Sequence, residues 1–360
     1  MGNADDDDTI RQLPGRQLPG WQLPGWQQFQ ADHIEPPAAP AKPRRLTRFW
    51  LPVLVVGTAA SAIVAAGLAF LPGQPTPQPV AAAPILVLPR PVSRAAIAKP
   101  TLASEAEIID TRSSALTIFR LAGNPSILVF DFPTLHEQAQ MLNRVAVMIE
   151  TAGQPRDHVL DDAELDRAVR ATGMEPDSFY DGHDYRAADI IRFFRAAAQD
   201  GTRLNPNEVR LHDILQAAGW FDSGNSRPGA LISIPTMGVG VDADARAVVL
   251  RHEMSHGEYF TNPAYNEHVN RFWQNELTAT ERSGFRHFLT AQHYDSGNED
   301  LMMNETQAYL VHTADPRFFT PPLAGLTVER GRQLREHFIA TMPAGWLRDL
   351  TTRPPAAGSR

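Results

Sequence analysis

The segment His252-Glu253-Met254-Ser255-His256 constrains this chain more than any other. It lies within residues 246–260, a run that reads as helix. Two histidines four residues apart on a helix stack on one face, one turn above the other. Both imidazoles can then reach one zinc ion. Glu253 sits about 100° around the helix from the first histidine. From there it can reach a water beside the ion without being a ligand itself. Chance placement would put this pattern in about one chain in fifty of this composition, so context must decide. The plain alternative is an amphipathic helix with two exposed histidines and a solvated Glu253.

The context favours the metal reading. Gly229-Ala230-Leu231-Ile232-Ser233-Ile234-Pro235 is a short apolar run bounded by Gly and Pro, which predicts a strand. Asp242 and Asp244 come next as N-cap candidates, and negative charge there suits the helix dipole. A third ligand is needed. The extended motif of metzincins requires Gly and His where this chain has Tyr259 and Asn262, so that class is excluded. A Glu from a second helix is the other common solution. Glu305 fits best: Asn298 caps its helix, Glu299 and Asp300 occupy the first turn, and Glu305 is the one acid in a mostly apolar body. A carboxylate on a buried helix needs a partner, which a zinc ion or an Arg can provide. Glu276, Glu281, Asp295 and Glu299 are rivals, with Glu281 already accounted for by the capping box Thr278-Ala279-Thr280-Glu281.

His252 to His256, with Asn304-Glu305-Thr306-Gln307-Ala308-Tyr309 some fifty residues later, resembles the gluzincin group of zinc metallopeptidases over about residues 229–315. The resemblance implies His252, His256 and Glu305 as zinc ligands and Glu253 as general base. It also implies an edge strand that lines the cleft and holds a peptide by backbone hydrogen bonds. Tyr309 and His312, at i+4 and i+7 from Glu305, are candidates for stabilising an oxyanion. Core packing for Tyr309 and a polar contact for His312 are the alternatives.

A second feature is the uncharged run of residues 49–71, long enough for a helix to cross about 30 Å of hydrocarbon. Lys42, Arg44, Arg45 and Arg48 precede it, and the next charge is Arg90. The positive-inside rule then predicts an uncleaved signal anchor in the inner membrane. The N-terminus would be cytoplasmic and the C-terminal domain periplasmic or extracellular. A cleavable signal peptide is the rival, but its n-region would be unusually long.

The remaining composition sets limits. There is no Cys, which excludes disulfides, thiol catalysis and Cys–zinc sites. A net charge of −8 gives no basic face for nucleic acid. Residues 1–48 carry an acidic block and three pentapeptides ending in Gln-Leu-Pro-Gly, too short a unit to build a packed repeat, and are expected to be disordered. Residues 72–99 read as a Pro- and Ala-rich linker and residues 351–360 as a loose tail. The folded part is residues 100–350. Within it, residues 126–132 predict a buried strand and periodic apolar positions predict a series of helices. Residues 100–220 form a helical lobe without a legible motif. His183-Asp184 and His212-Asp213 read as surface or capping pairs.

The expected fold is therefore α+β: a mostly helical zincin-like domain with a small sheet, preceded by one transmembrane helix. The expected activity is hydrolysis of a peptide or protein substrate by zinc-activated water. A non-catalytic zincin-like scaffold with a structural metal, or a zinc amidase acting on cell-wall peptides, are the alternatives.

Overall fold

The computed structural model describes residues 99–222, 228–238 and 241–353. The repeat segment, the 49–71 run and nearly all of the Pro/Ala-rich linker lie outside them. Among the described residues no helix is long and apolar enough to cross a membrane. The longest, Ala243–Thr261, has 19 residues but carries Asp244, Arg246, Arg251, Glu253 and Glu258. Such charges are costly in hydrocarbon. The expectation of a zincin-like domain behind one transmembrane helix is corrected accordingly. What is described is a mixed helical domain with a five-stranded sheet. The single-pass inner-membrane location, with its cytoplasmic and periplasmic sides, loses its structural basis with that helix.

The strands are β1 (Thr101–Ala103), β2 (Thr117–Leu121), β3 (Asn124–Phe132), β4 (His183–Arg186) and β5 (Ala230–Pro235), in the spatial order β1-β2-β3-β5-β4. β3 and β5 run parallel, and β4 closes one edge antiparallel to β5. The central strand β3 is buried on both faces, as its unbroken apolar run requires. Alternation assigns its side chains to two layers. Leu128, Phe130 and Phe132 pack with helices α2 (Leu135–Ile149), α4 (Ala187–Asp200) and α5 (Pro206–Ala217). Ile127 and Val129 join Ile232 and Ile234 of β5 against Leu250 and Met254 of the long helix, α6 (Ala243–Thr261). Short α1 (Glu105–Asp110) shares that second layer, and α3 (Asp162–Ala171) flanks the first. A separate apolar cluster binds α7 (Pro263–Arg271), α8 (Ala279–Ala291), α9 (Glu299–Gln307), α10 (Val328–Thr341) and α11 (Trp346–Thr351) into a helical lobe.

Two devices fix α6 on the sheet. At its C-terminal half Gly257 lies against Ile127, where a Cβ would stand 2.8 Å from the Ile127 side chain. Helix and strand approach this closely only because the residue after His256 has no side chain. In its first turns, fully buried Arg246 pairs bidentately with fully buried Asp131 of β3 at 2.9 and 3.1 Å. It also donates to the carbonyls of Ile108 and Pro235. Its guanidinium thus joins α1, β3, β5 and α6. Removing one member of a buried pair leaves an uncompensated charge. Arg246→Met is expected to lower stability by about 3–5 kcal/mol. Urea unfolding checks this, with Arg246→Met/Asp131→Leu expected to recover much of the loss. A shift below about 1 kcal/mol for the single variant would contradict this account.

Candidate metal centre

α6 starts where the sequence predicts: the Asp242 side chain accepts from the Ala245 amide at 2.7 Å. The helix delivers His252 and His256 to one face, with ring centroids 4.7 Å apart. α9, capped by Asn298, brings Glu305 to the same place. One Glu305 oxygen lies 3.6 Å from His252 Nε2 and the other 3.7 Å from His256 Nε2. These three residues form a buried cluster that can hold a metal ion.

Orphaned atoms provide the test of fit. Both ring nitrogens of His256, both oxygens of Glu305 and Oε2 of Glu253 are buried with no hydrogen-bond partner among the described residues. Buried polar groups are nearly always satisfied, so this concentration needs a cause. Nitrogen–oxygen separations of 3.6 and 3.7 Å suit donors arranged around one ion with bonds of about 2.0–2.3 Å. Burial lowers the His252 pKa to about 4, which leaves its imidazole in the neutral form a metal requires. Burial raises Glu305, with Asp184 adding to the rise and His256 opposing it. A carboxyl held neutral in this way ionises when a divalent cation replaces its proton.

The neighbours of these residues orient them. Thr313 Oγ1 donates to the Ala308 carbonyl at 3.0 Å and lies 2.8 Å from His252 Nδ1. Its hydroxyl hydrogen being used, it accepts from His252 Nδ1–H. That leaves the Nε2 lone pair directed at Glu305, the arrangement typical of metal-bound histidines.

The rival acids lie elsewhere. Glu281 caps α8 and pairs with Arg330, Asp295 pairs with Arg156, Glu299 with Arg286 and Glu276 with His337. The two oxyanion candidates separate. After Gln307 the backbone enters a π-helical turn, Ala308–His312, which adds a residue to the turn and rotates the positions beyond it. Tyr309 stays beside the site, its ring edge-on to His252 at 4.7 Å. His312 is turned away, with Nε2 3.0 Å from the Tyr265 hydroxyl and Nδ1 3.2 Å from that of Thr351. Both of its nitrogens are engaged, so it serves the helical lobe.

The predicted strand at 230–235 is also placed differently from the expected cleft edge. β5 is interior, and β4 is the sheet edge beside the site. The segment leading into β4 contributes most to the cleft. Phe179, Tyr180 and Gly182 line a cavity of about 100 Å³ together with His252, Glu253 and Tyr309. Gly182 leaves room for this carboxyl, because a Cβ there would stand 2.2 Å from Glu253 Oε1 and displace it. Burial, then the Asp184 and Glu305 carboxyls, push the Glu253 pKa well above its ordinary value.

His183-Asp184 is no surface pair. His183 is buried with Nδ1 3.0 Å from Ser233 Oγ, and Asp184 Oδ2 lies 3.7 Å from His256 Nε2. A buried acid at an alternating strand position is the only available signal, and two residues are too few to show alternation. His212 stacks on Phe221 at 4.8 Å and serves packing. No protein-family model, curated protein or solved structure matches the chain.

Proposed function

We propose that this chain is a zinc-dependent metallopeptidase of gluzincin type. The observation that carries the reading is a spare carboxyl. Glu253 is buried beside the His252–His256–Glu305 cluster, faces the cleft, and has an unpartnered oxygen. A purely structural metal site has no use for such a group.

Zinc, when bound, supplies Lewis acidity to a carbonyl oxygen and lowers the pKa of water. The chain's own residues supply the rest. Glu253 Oε2 accepts the proton of the attacking water, and the same carboxyl then delivers a proton to the departing amine. Burial and the Asp184 and Glu305 carboxyls raise its pKa, and a divalent cation beside it would counter that rise and favour the carboxylate that accepts the proton. Thr313 holds His252 in one tautomer. Phe179, Tyr180 and Tyr309 limit water access and favour a substrate that presents an apolar or aromatic side chain.

The full chain, purified with zinc, is expected to contain one zinc per molecule and to cleave members of a mixed peptide library. Chelation should stop cleavage and zinc should restore it. Stoichiometric zinc without cleavage would favour the scaffold reading instead. Cleavage that survives complete metal removal would overturn the proposal.

A further inference from the structure

We propose that Asp184, on edge strand β4, is a fourth protein ligand of the metal centre. This rests on the metal reading above and extends it to a lobe in which the sequence shows no motif.

The strand register places it. Asp184 pairs with Ile232 of β5, whose side chain belongs to the layer packed on α6. Asp184 therefore points toward α6 from within an apolar layer, where an acid needs a partner. The Asn304 amide lies 3.4 Å from one of its oxygens, Oδ1. Asn304 is itself held by Gln307, which hydrogen-bonds to Ser255 and accepts from the Tyr265 hydroxyl. The other oxygen, Oδ2, is aimed at His256 Nε2 at 3.7 Å, the same separation that Glu305 shows from that nitrogen.

Two overlapping groups of potential ligands result: His252, His256 and Glu305, and Asp184, Glu253 and His256. Both include His256, and Asp184 and Glu305 each approach its Nε2. A nitrogen has one lone pair and holds one ion, so an ion there would draw on both groups. An ion at that lone pair would lie within reach of both Glu305 and Asp184. Glu253 would then remain the base, and Asp184 would join His252, His256 and Glu305 without taking the position that the attacking water needs. A structural alternative exists for Asp184: a plain contact with the His256 imidazole that holds no metal.

The test is metal titration of the full chain and of Asp184→Asn, with zinc for affinity and Co(II) for its visible spectrum. Asn keeps the shape and can still meet Asn304, but lacks the charge. Asp184→Asn is expected to weaken zinc binding by at least about tenfold, the low end of what outer-sphere partners contribute. The Co(II) ligand-field bands are expected to change with the lost carboxylate. The metal-free variant should melt close to the wild-type temperature, because Asn keeps the shape and can still meet Asn304. Equal zinc affinity and an unchanged Co(II) spectrum would overturn the role of Asp184 while leaving the three-residue site standing. A marked loss of metal-free stability would also overturn it, in favour of the plain contact with His256. A wild-type chain that binds neither ion would overturn both this inference and the metal reading beneath it.

Discussion

Glu253→Gln is expected to retain one zinc per chain and the wild-type fold while losing peptide hydrolysis by about 10²–10⁴-fold, the usual contribution of a general base. Gln has nearly the same shape as Glu, so the contact with Gly182 survives. It cannot accept a proton at neutral pH. The loss should fall on kcat, because Glu253 acts on the water and not on the bound peptide. Circular dichroism and metal analysis establish that fold and zinc persist, and cleavage kinetics measure the loss. Near-wild-type turnover would eliminate the mechanism, whatever the metal content. Gly182→Ala offers an independent route to the same residue. The added methyl group would collide with Glu253 Oε1 and displace the carboxyl without touching any proposed ligand.

The second large effect concerns the ion itself. His256→Ala is expected to abolish stoichiometric metal, since His256 is fully buried and its Nε2 lies between two carboxylates. Glu305→Ala should weaken binding severely, because each Glu305 oxygen faces one histidine nitrogen. Metal content after dialysis and titration against a competing chelator distinguish loss from weakening. If Glu305→Ala bound zinc as tightly as the wild type, the third donor would have to come from elsewhere. Both variants also remove a buried group with orphaned polar atoms. Losing that group favours their metal-free forms and the cavity left behind opposes it, so metal-free stability is measured beside metal content.

Legibility in the sequence tracks the range of the interactions. The strand at residues 126–132 and the helix carrying His252 and His256 are local patterns, with spacing and caps contained in a single segment. Glu305 is recognisable because an isolated acid on an apolar helix is anomalous wherever the helix packs. Asp184 is not, because its position depends on pairing with Ile232 and on a helix seventy residues downstream. The roles of Gly182 and Gly257 are equally invisible, since each is defined by a side chain from a distant element that leaves no space for a Cβ. His312 shows a different failure. Counting i+7 from Glu305 assumes a regular helix, and the π turn at Ala308–His312 invalidates the count. The 49–71 run lies outside the described residues, and apolarity over a window says nothing of how such a run is placed.

The donors arrive from separately packed parts of the molecule. His252 and His256 ride on a helix clamped to the sheet by Arg246 and Gly257, whereas Glu305 belongs to the helical lobe built around Phe285, Met302 and Phe338. An ion joining His256 to Glu305 would thus be a cross-link that closes a loop of roughly fifty residues, and it would restrict the unfolded chain much as a covalent tie does. Because carboxylate and imidazole donors release an ion to acid or chelators, the tie would be reversible, and the resistance of the whole domain to heat and to digestion would become a function of free metal concentration.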